Sequence, residues 1–355
     1  NTTDLTALDP TIKGAAVALP SDATYLVSTD FVGPTVTVNE SAQMGGNFLR
    51  YEQDFVKYAD KHWAAEGSGW ENDYYDRALI YYAFWVRTGN PEYWNRGTQF
   101  ALSYRRKYLE ANAYASSPHW SQLEGLEKHY LLTGDDADRR AISEVTRIQF
   151  SSGWKPYLDV IEDRIRARYV MANLLGWRIN AGGRKAEYAV ALDDAIPRIV
   201  KSQRADGSYH PSDGPTPKIP ATSAFCGEQA NYQTGLLNDA LIEVYTYYRA
   251  DPAIVTDVKR SADFMWSTQW IANKQALSYM SGPCRPEIGG YGPAGDLNNM
   301  MVNTFAWAYA KTGNVAYRTA ADAVFQGALV NSEAQSSKQF NEQYSTSYRY
   351  LAWRK

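Results

Sequence analysis

Cysteine is nearly absent from this chain: there are two in 355 residues, Cys226 and Cys284. Histidine is almost as scarce, with four. Two cysteines suit either one disulfide in an exported protein or two unrelated thiols. Both fall in long Gly/Pro-rich segments, which favours a staple between two loops. Such a staple would close a loop of about 57 residues and stabilise by a few kcal/mol. The spacing fits no zinc motif and the scattered histidines complete none, so neither metal nor cofactor is expected. No basic tract is visible and the net charge is −3, which argues against nucleic acid as a partner. No apolar run approaches the roughly 20 residues that a membrane span needs. Asn1 to Asp9 are polar and do not read as a signal peptide. A start at Asn instead of Met is what removal of an export signal leaves, so a secreted or periplasmic monomer is expected.

Aromatic residues, by contrast, are abundant: 27 Tyr, 11 Trp and 11 Phe make 14% of the chain. Rings in this number help to pack a large helical core, and Trp and Tyr also suit stacking on sugars. The length fits one large domain or two ordinary ones.

A short turn recurs along the chain: Thr88-Gly89-Asn90, Thr133-Gly134-Asp135 and Thr312-Gly313-Asn314. Looser versions are Asn180-Ala181-Gly182-Gly183 and Arg249-Ala250-Asp251-Pro252. Gly takes the left-handed conformation that ends a helix, and the following Asn or Asp caps the next one. Segments before the turns are apolar on most sides and predict buried helices over 72–88, 119–133, 157–179, 229–249 and 296–312, with a last one over 341–353. Segments after the turns are striped with charge and predict outer helices over 91–110, 136–148, 184–203, 252–270 and 315–331, with another over 45–63. The pattern predicts an all-α (α/α)6 toroid of about six hairpins: one domain over 45–355, with residues 1–44 as an extended arm.

Tight turns at one end leave the long connections at the other, around the openings of the buried helices, and long loops are usually functional. Those openings read Trp70-Glu71-Asn72-Asp73-Tyr74, His119-Trp120-Ser121-Gln122, Trp154-Lys155, Glu228 to Tyr232, Asp296 to Asn299, and Asn341 to Tyr344. Capping explains the acids and amides but not the rings beside them. The rim therefore predicts a carbohydrate cleft, with Trp70, Asn72, Tyr74, Trp120, Gln122, Trp154, Glu228, Tyr232, Asn298, Tyr344 and Arg349 as substrate contacts. Arg77, Lys155, Arg164, Lys218 and Arg349 could form a local basic patch. His129 reads as a satisfied interior residue, His62 as structural, and Asp135-Asp136 as a helix cap.

The hairpin repeat, with the turn Gln203-Arg204-Ala205-Asp206-Gly207-Ser208-Tyr209, resembles the α/α-toroid carbohydrate enzymes, hydrolases and polysaccharide lyases alike, over nearly all of 45–355. In the loop Ser281 to Pro293, Arg285 precedes Tyr291 by six residues beside Cys284. That spacing resembles the Arg/Tyr pairing of toroid alginate lyases, most of all polysaccharide lyase family 38. The family is described with seven hairpins against about six here, and its catalytic His has no firm counterpart. The resemblance implies β-elimination on an acidic polysaccharide such as alginate or glucuronan. Tyr291 would be base and acid, while Arg285, Asn231 and either His119 or His210 would neutralise the sugar carboxylate. A Cys226–Cys284 bond would hold the loops of Asn231 and Tyr291 together. Two alternatives stay open. A glycoside hydrolase would need a carboxylate pair, drawn from Glu228 or Asp296 with Glu71 or Asp73; Glu124 and Glu287 are further candidates. A non-catalytic glycan binder would keep the rings and lose the acid/base set.

Overall fold

A computed structural model describes residues 2–3, 17–18, 20–151, 158, 162–209, 229–281, 292–332 and 334–355. The fold is all-α. The backbone packs as two compact units, Asn1–Val145 with Ala334–Ala352, and Thr146–Glu333 with Trp353–Lys355.

The first unit holds α1 (Ala23–Ser28), α2 (Val38–Gln43), α3 (Gly46–Glu66), α4 (Arg77–Thr88), α5 (Pro91–Ser103) and α6 (Glu124–Thr133). The boundary falls inside α7 (Asp136–Ser151). The second unit carries α8 (Asp163–Arg178), α9 (Lys185–Ser202), α10 (Asn231–Tyr247), α11 (Pro252–Phe264), α12 (Val302–Thr312) and α13 (Val315–Asn331). After it, α14 (Ser337–Tyr344) returns to the first unit and α15 spans Tyr350–Trp353. Among the described residues, strands are limited to two antiparallel pairs of two-residue strands: β1 (Thr2–Thr3) with β2 (Val17–Ala18), and β3 (Trp270–Ile271) with β4 (Ala276–Leu277).

Three of the turns repeat one device. Thr88, Thr133 and Thr312 each donate the side-chain hydroxyl to the carbonyl four residues back, at 2.5, 2.7 and 2.7 Å. Each hydroxyl also accepts the N–H two residues on, at 3.1, 3.2 and 3.2 Å. The intervening glycines take left-handed φ of 69°, 71° and 68°. Asn90, Asp135 and Asn314 then accept the N–H two residues further on, each at 3.0 Å. One helix end and the next helix start are thus satisfied within nine residues, Phe84 to Glu92 at the first turn, which makes the hairpins legible from local chemistry.

The inner and outer assignments hold except at α5. Every residue of α4 from Arg77 to Arg87 is buried, as is every residue of α10 from Asn231 to Val244. Helices α3 and α11 bury one stripe each, whereas α5, expected as an outer helix, buries nine of its thirteen residues.

Three readings change. Residues 20–44 are not an extended arm: they form α1 and α2, capped by Asp22 and by a Thr37/Glu40 capping box. From residue 45 the chain runs through both compact units. The buried helices also start later than periodicity suggests, because their first residues form 3-10 turns at Trp70–Asn72, Pro118–Trp120 and Gly295–Met300. The last inner segment breaks at a 3-10 turn, Ser347–Arg349.

Gly313→Ala should cost about 1–2 kcal/mol, the left-handed penalty alone, since no atom lies within 4 Å of an added Cβ. Gly89→Ala should cost more, because its Cβ would lie 1.9 Å from the Ser21 carbonyl oxygen. Thermal denaturation should rank Gly89→Ala as the less stable variant; equal melting temperatures would show that the Ser21 segment yields freely.

Candidate functional site

In the first unit the aromatic residues of two helix openings converge. Trp70 stacks on Tyr108 at 4.5 Å and meets Trp120 edge-on at 5.4 Å. Tyr74 lies 4.7 Å from Trp120 and 4.4 Å from Tyr75. Trp70, Tyr74, Tyr108, His119 and Trp120 are half-buried, so the cluster is partly open to solvent. The backbone beneath is fixed from two sides. The Asn341 amide donates to the carbonyls of Asn72 and Tyr74 at 2.8 and 2.6 Å, and its oxygen accepts Arg77 Nε at 2.7 Å. Opposite, the Tyr104 hydroxyl donates to the Trp120 carbonyl and accepts Gln122 N–H at 3.1 Å. Tyr108 Oη accepts Ser117 N–H at 3.0 Å. Gln122 itself is buried and donates to the His119 carbonyl.

Carboxyl groups gather at the same openings. Asp76 is buried and caps α4, accepting Leu79 N–H and Gly125 N–H at 2.9 Å each. It therefore ties α4 to the first turn of α6. Tyr75 and Asp76 both have left-handed φ, 69° and 63°, a strained arrangement for consecutive non-glycine residues. Burial and the neighbouring Glu124 carboxyl, which is hydrogen-bonded to it, push Asp76 up to about 7. Burial, with Asp76 close by, also holds Asp73 well above the usual carboxylate range. Sequence reasoning named Asp73 and Glu124 but missed Asp76, Tyr75 and Tyr108. An Asp three residues before the Leu79 N–H it caps was the available signal for Asp76.

A second cluster lies in the second unit. Tyr232 and Tyr279 bring their rings to 5.3 Å and their hydroxyls to 3.5 Å. Gln233 donates to Tyr232 Oη at 3.2 Å and to Glu162 at 3.1 Å, and Glu162 also pairs with Arg164. Burial pushes Tyr232 up to about 12, although Arg164 pulls the other way.

Several expected contacts are struts instead of rim. Asn231 is fully buried, and its amide donates to the Ser278 carbonyl and hydroxyl at 2.8 and 3.0 Å. Asn298 accepts Leu277 N–H and donates to the carbonyls of Gln275 and Val324. The Tyr344 ring packs in the core between Tyr51, Phe55 and Phe340, so it has no face left for a sugar. Arg77 and Arg349 are buried, so neither belongs to a surface basic patch. The side chains of Asn231, Asn298, Arg77 and Tyr344 each donate to a backbone carbonyl.

His62 and His129 are both buried, but only one ring nitrogen of His129 finds a hydrogen-bond partner. His62 Nε2 meets the Ala334 carbonyl at 2.9 Å. His129 pairs with Asp138 at 2.5 Å. His129, Asp135 and Asp138 are close enough to hold a metal ion, but Arg105 already bridges the two aspartates at 2.6 Å each. The guanidinium supplies the positive charge there, so this donor set does not fit a cation. Trp154, Lys155, His210, Lys218, Cys226, Glu228, Cys284, Arg285, Glu287 and Tyr291 lie outside the described residues.

A glycosaminoglycan-degrading enzyme shares this fold. The crystal structure of unsaturated glucuronyl hydrolase, responsible for the degradation of glycosaminoglycan, from Bacillus sp. GL1, superposes with a TM-score of 0.56. Identity is 11%, over 76% of this chain and 78% of that one. At that identity the likeness shows the fold, an all-α arrangement of the α/α-toroid type. No protein-family model matches the chain. No curated protein matches it either.

A pH test separates buried acids that serve the fold from those at the ring cluster. In the second unit Asp257 accepts the Tyr209 hydroxyl, and burial pushes it up to about 7. A folded-state value above the unfolded one gives stability that is complete below about pH 4 and lost as pH rises through 7. Asp257→Asn keeps an acceptor for Tyr209 and cannot titrate. Its melting temperature should fall less than that of the parent chain between these pH values; parallel curves would show that Asp257 is ionised throughout.

Proposed function

We propose that this chain is an enzyme that processes a uronic-acid-containing glycan, and that its chemistry is hydrolysis. The observation that carries this reading is the Asp76–Glu124 carboxyl pair at the openings that bear the ring cluster of Trp70, Tyr74 and Trp120. The fold shared with an enzyme of glycosaminoglycan degradation supports the substrate class.

Glycoside cleavage needs a proton on the departing oxygen and a carboxylate to activate water or attack the sugar. The pair suits the first role. Buried Asp76, pushed up to about 7 by burial and by the Glu124 carboxyl, would hold the proton near neutral pH, and Glu124 is the more accessible member that would face the sugar. Glu71, exposed on the 3-10 turn with Trp70, is the candidate for the second role. The half-buried rings offer faces for the sugar.

Elimination by a Tyr base is the second reading. Arg164 beside Tyr232 favours it, but Tyr232 is pushed up to about 12 by burial and so is a poor base at neutral pH. The Arg285/Tyr291 pairing stays a proposal from resemblance.

Hydrolysis predicts that glycosaminoglycan or alginate oligosaccharides gain reducing ends with no rise in ultraviolet absorbance. A rise with every cut would mean an unsaturated product, hence a lyase. Glu124→Gln should lower kcat/KM by about 10²–10⁴-fold, the range for a lost general acid. Asp76 must be protonated for the pair to act, so kcat/KM should fall as pH rises past about 7, and Asp76→Asn should remove that limb. An unmoved limb would remove the pair from the mechanism.

A further inference from the structure

We propose that a crevice beside the Trp70–Tyr108 stack is an anion subsite, which takes the carboxylate or sulfate group of an acidic sugar. The proposal rests on the glycan reading above and adds where its charge is recognised. The crevice has a volume of about 180 Å³ and is lined by Ser68, Gln99, Leu102, Ser103, Arg106 and Lys107. A whole drug-sized ligand needs some 300 Å³ or more, so this space suits one sugar-sized group of a longer chain.

Its walls are continuous with the ring cluster. Ser68 precedes Trp70 by two residues and Lys107 precedes Tyr108 by one, and those two rings stack at 4.5 Å. The second wall is unusual. Helix α5 passes into a π-helix over Tyr104–Glu110, and π-turns inside helices occur often at functional sites. That stretch carries three consecutive cations with different fates. Arg105 is buried and pairs with Asp135 and Asp138; Arg106 and Lys107 both line the crevice, whose lining holds no carboxylate.

The remaining groups are mainly donors. Gln99 brings an amide and Ser68 a hydroxyl. Ser103 is 6% exposed and its hydroxyl has no hydrogen-bond partner. A buried polar group without a partner calls for an explanation. A ligand oxygen would supply the missing acceptor. Two cations with several donors and no acid favour an oxyanion over a neutral hydroxyl.

The test titrates three disaccharides into the full chain and follows binding by calorimetry. One carries a glucuronate, one is sulfated without a uronate, and the neutral control is N,N'-diacetylchitobiose. At least one charged sugar should bind about tenfold tighter than the control, the gain expected from a charged hydrogen bond; which one does so tells carboxylate from sulfate. Lys107 is exposed, so Lys107→Glu should fold normally and abolish that preference while neutral binding is unchanged. Ser103→Ala should weaken charged binding with an unaltered melting temperature. Equal binding of all three sugars, or a preference that survives Lys107→Glu, would overturn the subsite. The hydrolase reading fails separately: charged sugars that bind as expected on a chain that cuts no glycan would leave the subsite standing alone.

Discussion

One carboxylate holds the ring-bearing site together. Asp76 accepts the N–H of Leu79 and the N–H of Gly125, so the first turns of two buried helices hang on one side chain. It can reach both only because Tyr75 and Asp76 adopt left-handed backbone, a strain that the surrounding packing must offset. Because Glu124 opens the helix that Gly125 belongs to, the same contact brings a second carboxyl against the first. The bond that positions two helices thereby sets a buried carboxyl, pushed up to about 7, beside the more accessible Glu124. Structure and proposed chemistry come from one interaction, which explains a buried acid beside aromatic rings.

The rings depend on a similar economy of long-range bonds. Asn341 takes the Arg77 guanidinium on one side and holds the Asn72 and Tyr74 carbonyls on the other. Tyr104 and Tyr108 hold the segment that presents Trp120. Without these partners the half-buried rings would sit on unanchored turns, and stacking on a sugar would have to order them first, at an entropic cost. The π-helix serves two ends: its Tyr104 and Tyr108 support the ring cluster, while its Arg105 neutralises the Asp135/Asp138 pair.

How much of this was legible in the sequence follows from the range of each interaction. The hairpin turns were readable because Thr88, Gly89 and Asn90 satisfy one another within a few residues. The late start of α4 was not, since nothing in local preference announces two left-handed non-glycine residues. Arg77 and Asn341 are 264 residues apart, so each looked like a polar residue at a helix opening, free to face a ligand. Asn231, Asn298 and Tyr344 misled for the same reason. A polar tip at a helix start reads alike whether it meets solvent or ties backbone, and only the tertiary partner decides. Trp70, Tyr74 and Trp120 differ from these in staying half-buried at the helix openings.

The proposed chemistry turns on Asp76 keeping its proton near neutral pH beside Glu124. Carbon NMR of the chain with labelled aspartate carboxyls measures this directly, with Asp76→Asn assigning the signal. The account predicts an Asp76 titration centred near 7 that moves markedly lower in Glu124→Gln, where the neighbouring charge is gone. An Asp76 signal that titrates near its ordinary value of 3.8, unmoved by Glu124→Gln, would contradict it.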